Sequence, residues 1–497
     1  MNKHASLALA LAAVLAASGC ATLVPATPEA QAGIPAAWPL PEVTAGDADA
    51  AAPGADIPGV DMPGAGNAGA LATLPMADIG WRDFFADPRL EGVVALALDN
   101  NRDLRVAILN VERARSQYRI QRADRLPSIG AEAMMERVGG DIPVTEQYTA
   151  GIGLAAFELD LFGRVRNLSE SALQQYLATE EAQRAAQLSL VAEVAGTWLA
   201  LAADQEQLRL SEAALDTYRQ TLDLSTKRHE LGATSALELE QVRTQVAGAR
   251  VDVERLTGQV AQDRNALNLL AGAQVDAALL PDARVGPVTG LAAVPAGLDA
   301  EVLLRRPDVI AAEHRLLAAS ANIGAARAAF FPSITLTGSV GSASDELSGL
   351  FDSGTKLWSF IPRLNLPIFQ GGRLKAALGM ATADRDIALA QYEQAIQSGF
   401  REVADALLLS RTLAAQVAAQ QDLVDAATRA ESLARARFDA GFDSYLSQLD
   451  AQRTLYGAQQ ALVATRLAEQ ANRVTLYRVL GGGWLEDSAL PAVATQG

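Results

Sequence analysis

The sequence of 497 residues has few of the residues that most often carry chemistry or anchor compact cores. Aromatic residues make up 5% of it, and it contains one cysteine and three histidines. One cysteine excludes a disulfide within the chain, and so few histidines exclude a histidine-rich metal site. No run of lysine or arginine interrupts the net charge of −17. We therefore expect no nucleic-acid partner, no metal site and no cofactor.

The sequence also lacks the motifs of an enzyme. It has no glycine-rich phosphate loop and no nucleophile elbow, and its many carboxylates fall within helical patterns, where acids usually face solvent. We expect no catalytic residue. What the chain does have is alanine mixed with Leu, Glu, Gln and Arg, a composition typical of long helices that pack closely.

The first 20 residues, MNKHASLALALAAVLAASGC, have the layout of an export signal, which predicts a signal peptide over residues 1–19. The apolar run is shorter than the ~20 residues that cross a bilayer as a helix. We find no later uncharged stretch of that length, so we do not expect a helical membrane protein. The segment Ala17-Ser18-Gly19-Cys20 resembles a bacterial lipobox, which would make Cys20 the lipidated first residue of the mature chain. A plain secretory leader with an incidental cysteine is the alternative.

The mature chain begins with a segment unlike the rest. Residues 20–79 are rich in Ala, Pro and Gly without apolar periodicity, which predicts a tether that is extended or lies along a neighbouring surface. Beyond it, proline is absent over 144–280 and again over 368–490. The stretch from Arg166 to Leu231 is one helical pattern, about 100 Å long at ~1.5 Å per residue. A rod of this length predicts a coiled-coil-like assembly.

Two copies of one unit make up the long helical region. We place the first repeat at 80–284 and the second at 285–484, followed by a C-terminal tail over 485–497. Each repeat contains a helix, a β-hairpin, a long helix, a tight turn and a helix. The repeats are related by a shift of 205 residues, which becomes 209 farther along: Asp103 recurs as Asp308, Pro127 as Pro332, Gly163 as Gly372, Gly232 as Gly441 and Gly272 as Gly481.

The two hairpins, at 128–161 and 333–369, contain segments long enough to cross a membrane as tilted strands. In the last segment Trp358 and Phe360 alternate with polar residues. A pair of soluble hairpins is the alternative, but the lipobox, the repeat and the alternation favour membrane strands. Because small membrane barrels have ~8 strands, four strands close a barrel only within an oligomer.

Specific motifs occur in a fixed order through both repeats. On the basis of these motifs, the chain resembles the TolC/OprM-type outer-membrane efflux proteins, in particular the NodT-like lipoprotein branch. The resemblance extends from about Gly80 to Trp484. Its motifs are WRDFFADPRLEGVVALALDNNRDL, FELDLFGRVR after the first hairpin, LLRRPDVIAAEHRLLAASANIGAARAAFFPSI, NLPIFQGGRL after the second hairpin, RFDAGFDSYLSQLDAQRTLYGAQQ and LYRVLGGGW.

This resemblance implies a mixed α and β fold. A long α-helical barrel would extend into the periplasm, and a transmembrane β-barrel, with four strands per chain and two internal repeats, would close at 12 strands in a homotrimer. A small mixed α/β belt would form from the chain ends and residues 273–299. The protein would be anchored by lipid in the outer membrane of a Gram-negative bacterium.

The resemblance also implies two contact sites on the helix tips, where a periplasmic adaptor would dock. Glycine permits a left-handed turn there, and Ser or Thr caps the next helix. Such capping alone is the alternative explanation for the motif. The two tips are formed by Leu231, Gly232, Ala233, Thr234 and Ser235, and by Ala440, Gly441, Phe442, Asp443 and Ser444.

A periplasmic gate is expected next to the second tip. In the family pattern Leu446 and Asp450 would project into the closed mouth, giving an apolar ring and an acidic ring in a trimer. Ordinary packing for the leucine and solvation for the acid are the alternatives. Phe438 stands where relatives often carry tyrosine, and we expect Arg437 to pair with an acid such as Asp204.

We therefore expect the protein to be the exit duct of a tripartite RND-type efflux pump. It would pass drugs or other small molecules from an inner-membrane pump and a periplasmic adaptor across the outer membrane. A component of a type I-like or metal-ion efflux system is the alternative. A general diffusion porin is disfavoured because porins are nearly all strand, and a soluble coiled-coil scaffold is disfavoured by the signal peptide and the lipobox.

Overall fold

The computed structural model describes residues 23–35, 38, 74–290 and 300–488. The signal peptide, Cys20 and the end of the predicted tail lie outside the described residues. The described chain forms two compact units, each assembled from distant stretches of sequence. Unit 1 comprises the described parts of Met1–Ala32, Ile108–Ala182 and Asp308–Ala395; unit 2 comprises those of Gly33–Ala107, Gln183–Pro307 and Ile396–Gly497.

The described residues are mostly helical and contain a single antiparallel sheet of four strands. Short 3-10 helices lie at Met76–Asp78, Ala277–Leu279, Ala300–Arg305 and Leu347–Gly349. The α-helices are α1 (Trp81–Phe84), α2 (Pro88–Asn100), α3 (Arg102–Ala123), α4 (Arg164–Glu230), α5 (Ala236–Ala271), α6 (Pro307–Ala328), α7 (Arg373–Asp439) and α8 (Tyr445–Val479), and the strands are β1 (Ile129–Val138), β2 (Thr145–Leu159), β3 (Ser333–Ser344) and β4 (Lys356–Asn365).

The two long helices, α4 and α7, each have 67 residues and fall at the same place in the two predicted repeats. Neither contains proline, so no backbone donor is lost along their length. Each is followed by a glycine in the left-handed region, Gly232 with φ 72° and Gly441 with φ 79°. The helices therefore end where the sequence changes the backbone conformation.

The segment between Asp87 and Asp124, at the start of the first repeat, forms two helices, α2 and α3. Helix α2 is capped at its start, because the Asp87 side chain accepts from Arg89 N at 2.8 Å and Pro88 follows. The break is at Asn101, whose backbone is extended. Its side chain accepts from Leu104 N at 2.9 Å and donates to Leu270 O at 2.8 Å. Asparagine competes with the helical backbone for hydrogen bonds, and here a tertiary contact decides the outcome.

Five aromatic residues are buried in the largest apolar cluster of unit 2: Trp81, Phe84, Phe85, Trp198 and Tyr477. Phe84 stacks on Tyr477 with ring centroids 3.8 Å apart, and the Tyr477 hydroxyl donates to Ile79 O at 2.7 Å. Trp198 in α4 donates to Leu279 O at 3.1 Å. Large rings whose polar atoms find a partner supply much of the packing in a chain otherwise rich in alanine.

One described helix, α4, contains an 18-residue stretch that is apolar enough, by length and composition, to span a membrane. Half of that stretch is buried inside the chain. Val194, Leu199 and Leu201 of the same helix are fully buried in the unit 2 core. The apolar character of α4 is thus explained by packing within the protein.

The N-terminal segment lies along the rest of unit 1 over residues 23–32, which is one of the two conformations expected for the tether. Arg327 donates to Leu23 O at 3.0 Å, and Gln31 N donates to Glu393 at 2.8 Å. Gly324 leaves room for Val24, because a β-carbon there would come within 2.7 Å of the valine side chain. Small residues on the helix surface therefore let the segment pack closely.

The expected mixed α/β belt is only partly within the described chain. Residues 273–290 contain the 3-10 helix Ala277–Leu279 and no strand, and 291–299 lie outside the described residues. Within the described ranges, every strand belongs to the four-stranded sheet.

Candidate channel wall and helix-tip sites

The sheet of unit 1 has the strand order β1-β2-β3-β4, and every neighbouring pair is antiparallel. The register places apolar side chains of all four strands on one face. Across the sheet, Ile129 pairs with Leu154, which pairs with Gly338, which pairs with Phe360. The next row on this face consists of Ala131, Ile152, Val340 and Trp358. The face is exposed, since Trp358 is 75% accessible and Ile129 74%.

The opposite face carries mostly small and polar residues, with Met134, Leu357 and Ile361 among them. Ser339 and Ser359 form a hydrogen bond across β3 and β4 at 2.8 Å. A β-carbon on Gly151 would lie 2.8 Å from Val340 O, and one on Gly341 would overlap Ala150 O, so these two positions have no room for a side chain. A groove of about 620 Å³ runs over β1 to β3 on this face. The sheet is amphipathic, with one surface suited to lipid and one suited to water.

Both outer strands of this sheet have one edge without a strand partner in the described chain. An open edge leaves backbone N–H and C=O groups unpaired, and lipid does not supply hydrogen bonds to replace them. An apolar sheet of this kind is therefore incomplete as a membrane wall unless other strands extend it.

The first helix tip joins α4 to α5. Gly232 N donates to His229 O at 2.9 Å and Ala233 N donates to Arg228 O at 2.8 Å, which closes the last turn of α4. Ser235 caps α5 by accepting from Glu238 N at 3.2 Å. A ring nitrogen of His229 lies 3.0 Å from Thr234 O, and the Thr234 hydroxyl bonds Glu238. This tip has the predicted glycine and the predicted cap.

The second tip joins α7 to α8 and has the same backbone bonds, with Gly441 N on Phe438 O at 3.0 Å and Phe442 N on Arg437 O at 2.9 Å. The expected cap is wrong here, because the Ser444 side chain makes no capping bond. Arg437 instead makes two bonds to Asp443, at 2.6 and 3.0 Å. This ion pair lowers the pKa of the Asp443 carboxyl.

Both tips present a large apolar side chain to solvent. Leu231 is 85% exposed and Phe442 is 78% exposed. The glycines beside them have open space around them, so glycine is required there by its positive φ and not by crowding.

The predicted gate residues divide between an exposed and a buried position. Leu446 is 58% exposed, and Asp450, one turn later, is exposed as well. Phe438 is 8% exposed and packs edge-to-face on Tyr445, with the Arg228 guanidinium 4.9 Å from its ring centre. Phe438 therefore belongs to the core of this unit and does not face a channel.

The expected pairing of Arg437 with Asp204 is wrong for this chain. Arg437 bonds Asp443 in its own turn. Arg228, which lies beside Phe438, is 24 residues from Asp204 along α4, or about 36 Å at ~1.5 Å per residue. Sequence reasoning had no measure of this separation, because the two residues lie on different helices.

Asp204 has a different partner that sequence reasoning missed. It faces Asp263 of α5, whose Oδ1 accepts from Gln259 at 3.0 Å. Burial and the neighbouring Asp263 carboxylate raise the pKa of Asp204 to about 6. Two acids that close together favour sharing a proton. Each lies in an ordinary helical pattern, so only the packing of α4 on α5 reveals the pair.

A search of the described residues finds no cluster of three or more His, Cys, Asp or Glu side chains placed to hold a metal ion. The sheet and the two helix tips are surfaces and turns. They can line a passage or contact a partner.

A family model described as "Outer membrane efflux protein" matches residues 93–273 and 299–482, covering both repeats. The chain belongs to this family. Membership confirms the resemblance drawn from the motifs and the outer-membrane localisation, and it assigns the chain to a family of transport proteins and not of enzymes.

Relatives and solved structures agree with that assignment. The chain is 47% identical over 425 residues to the toluene efflux pump outer membrane protein TtgC of Pseudomonas putida, covering 84% of this chain and 88% of that one. It is 43% identical over 485 residues to the solvent efflux pump outer membrane protein SrpC of Pseudomonas putida, covering 96% and 98%. The crystal structure of the open state of the MtrE outer membrane channel of Neisseria gonorrhoeae matches with a TM-score of 0.77 at 39% identity, covering 84% and 94%.

Proposed function

We propose that this outer membrane efflux protein is the exit duct of a tripartite RND-type pump. It would take small organic molecules from an inner-membrane pump and a periplasmic adaptor and release them outside the cell. The observation that carries this proposal is the amphipathic four-stranded sheet, with one apolar face across all four strands, in a chain of this family.

The open edges of the sheet support a homotrimer. Three chains would supply 12 strands, and each β1 edge would pair with a β4 edge of a neighbour, so that no backbone group is left unpaired in lipid. The apolar face would then contact outer-membrane lipid and the serine- and glycine-bearing face would line the water-filled passage.

The two tips are proposed as the docking surface of the adaptor. Leu231 and Phe442 are apolar side chains held in solvent by rigid glycine turns, and isolated exposed residues of this size are suited to insertion between the helices of a partner. The exposed Leu446 and Asp450 of α8 are proposed to form the gate as an apolar ring and an acidic ring in the trimer.

Lipidation of Cys20 is proposed as the membrane anchor. Leu23, three residues later, is held against unit 1 by Arg327, so the anchored end of the chain would start from a defined place on the protein. The names of the relatives favour toluene and other organic solvents as substrates over metal ions.

Export by cells tests the function. In a Gram-negative host without its own efflux channel, co-expression with an RND pump and adaptor should restore toluene tolerance. Changing both Gly232 and Gly441 to Val should abolish it while the protein stays in the outer membrane, because β-branched residues resist positive φ. Gly248 and Gly457, related by the same 209-residue shift, lie in helices with open space, so changing both to Val is the matched control. Equal tolerance in both double variants would refute docking at the tips.

A further inference from the structure

Helix α8 has two different faces beside the proposed gate. Leu446 and Asp450 are exposed, whereas Tyr445, Gln448, Leu449 and Gln452 are buried against the rest of unit 2. Gln448 is 6% exposed and Gln452 is 7% exposed. The back of the proposed gate therefore contains two buried amides, in a position where helices usually place apolar side chains.

These amides are not fully paired. The Gln448 Oε1 atom and both amide atoms of Gln452 are buried and have no hydrogen-bond partner among the described residues. The buried amide of Asn472, elsewhere in unit 2, is paired, since it donates to Ala406 O at 2.9 Å; the half-buried amide of Gln420 donates to Ala458 O at 3.1 Å. The three unpaired atoms have almost no accessible surface.

The other repeat shows that glutamine is not needed for packing. The residue that corresponds to Gln448 in the first repeat, 209 positions earlier, is Leu239, which is buried at 6% exposure. The same helical position thus accepts leucine in one copy and has glutamine in the copy that carries the proposed gate. A buried polar atom without a partner raises the free energy of the packed state.

There is room beside Gln452 for the helix to move. A cavity of about 220 Å³ lies between α4, the end of α7 and α8, lined by Gln452, Thr217 and Tyr218 among others. A hydrogen bond of 2.6 Å between Ser211 and Tyr456 joins α4 to α8 beside it. The packing of α8 against α4 is weaker here than an apolar interface of the same size would be.

We propose that Gln448 and Gln452 are positioning residues of the gate. Their unpaired amides destabilise the packing of α8 on α4 in the arrangement seen here, and a shift of α8 that gives them partners moves Leu446 and Asp450 with it. The inference rests on the proposed gate at those two residues. The proposal requires no bound ligand. It requires a second position of α8, in which the two amides are solvated or paired.

Gln448→Leu, which introduces the residue of the first repeat, and Gln452→Leu test this proposal in the full-length protein. Both should raise the thermal unfolding temperature. Both should also lower the open probability of single channels in planar bilayers by roughly tenfold, because relieving one buried unpaired amide changes an equilibrium constant by about a decade. Gln420→Leu is the matched control: it removes a paired amide, so it should lower the unfolding temperature.

Three results would overturn the proposal. A lower unfolding temperature in Gln452→Leu and Gln448→Leu would mean that the amides are paired in solution, for example by buried water. Suppose that Leu446→Ser raises the conductance, while the open probability is unchanged in Gln448→Leu and Gln452→Leu. The proposed gate at Leu446 would then stand, and the positioning role of the two glutamines would be refuted. If Leu446→Ser did not change conductance, the proposed gate itself would be wrong and the inference would fall with it.

Discussion

The two helix tips have the same backbone and different side-chain chemistry. Both turn on a glycine with positive φ and both make the same pair of backbone hydrogen bonds. The first tip is completed by the Ser235 cap, the second by the Arg437–Asp443 ion pair. The backbone requirement is therefore common to the two repeats, whereas the groups that stabilise the turn are interchangeable.

A further difference lies one residue before the end of each long helix. His229 of the first tip is exposed, while Phe438, its counterpart 209 residues later, is buried against Tyr445 and Arg228. The second tip is thus attached to the core through its own side chain. The first tip is held mainly by its local bonds.

The largest expected effect tests this difference in how the two tips are attached to the core. Phe438→Ala should destabilise the protein by about 3 kcal/mol or more, since it removes a buried ring, whereas His229→Ala should cost about 0.5 kcal/mol or less. Thermal or denaturant unfolding in detergent measures both. Equal losses in the two variants would show that the tips are anchored alike.

The next effect is a pH dependence of stability, which we expect from the helix pair α4–α5 of the first repeat and not from the equivalent positions of α7 and α8. The counterparts of Asp204 and Asp263 in the second repeat are Leu413 and Asn472, so a carboxylate pair exists only in the first. Because the folded pKa of Asp204 is raised to about 6, its contribution to stability is fully present below about pH 4 and is lost as the pH rises through 6.

Replacing Asp204 by Leu and Asp263 by Asn should therefore remove this part of the pH dependence, on the order of 1 kcal/mol after allowance for partial solvent exposure. The measurement is the unfolding temperature of both proteins from pH 4 to 7. A wild-type curve that stays parallel to that of the variant would show that the pair is not strained at neutral pH.

Loss of a helix cap should have a smaller effect on stability, and the effect should differ between the two tips. Ser235→Ala should cost about 1 kcal/mol because α5 loses its cap, whereas Ser444→Ala should cost close to nothing because that side chain makes no capping bond. Hydrogen exchange in the first turns of α5 and α8 is the direct measurement. Faster exchange at α8 in the Ser444→Ala variant would contradict the structure.

The smallest effect is electrostatic. Asp443→Asn should loosen the second tip at low salt and have little effect at high salt, because the ion pair lies at the surface and is screened. Thr234→Ala at the first tip should show no such salt dependence. Adaptor binding measured at low and high ionic strength compares them, and a salt-independent loss in Asp443→Asn would assign the residue to direct contact with the adaptor.

The sequence alone determined the features that depend on local pattern and chain length. Absence of proline allowed α4 and α7 to run for 67 residues, glycine set both tip turns, and alternation of apolar residues predicted the strands of the sheet. The internal repeat then indicated that each element occurs twice. These features follow from neighbours along the chain, which a sequence displays directly.

Only the tertiary structure decided which distant residues meet. It broke the first helix at Asn101 through a bond to Leu270, buried Phe438, gave Arg437 the partner Asp443 and placed Asp204 against Asp263. Each outcome depends on how a long helix is rotated about its axis and on which residues of the adjacent helix lie at the same level. The alanine-rich pattern is compatible with several such rotations, because its apolar stripes are wide and weakly differentiated, and the energy of close packing selects one.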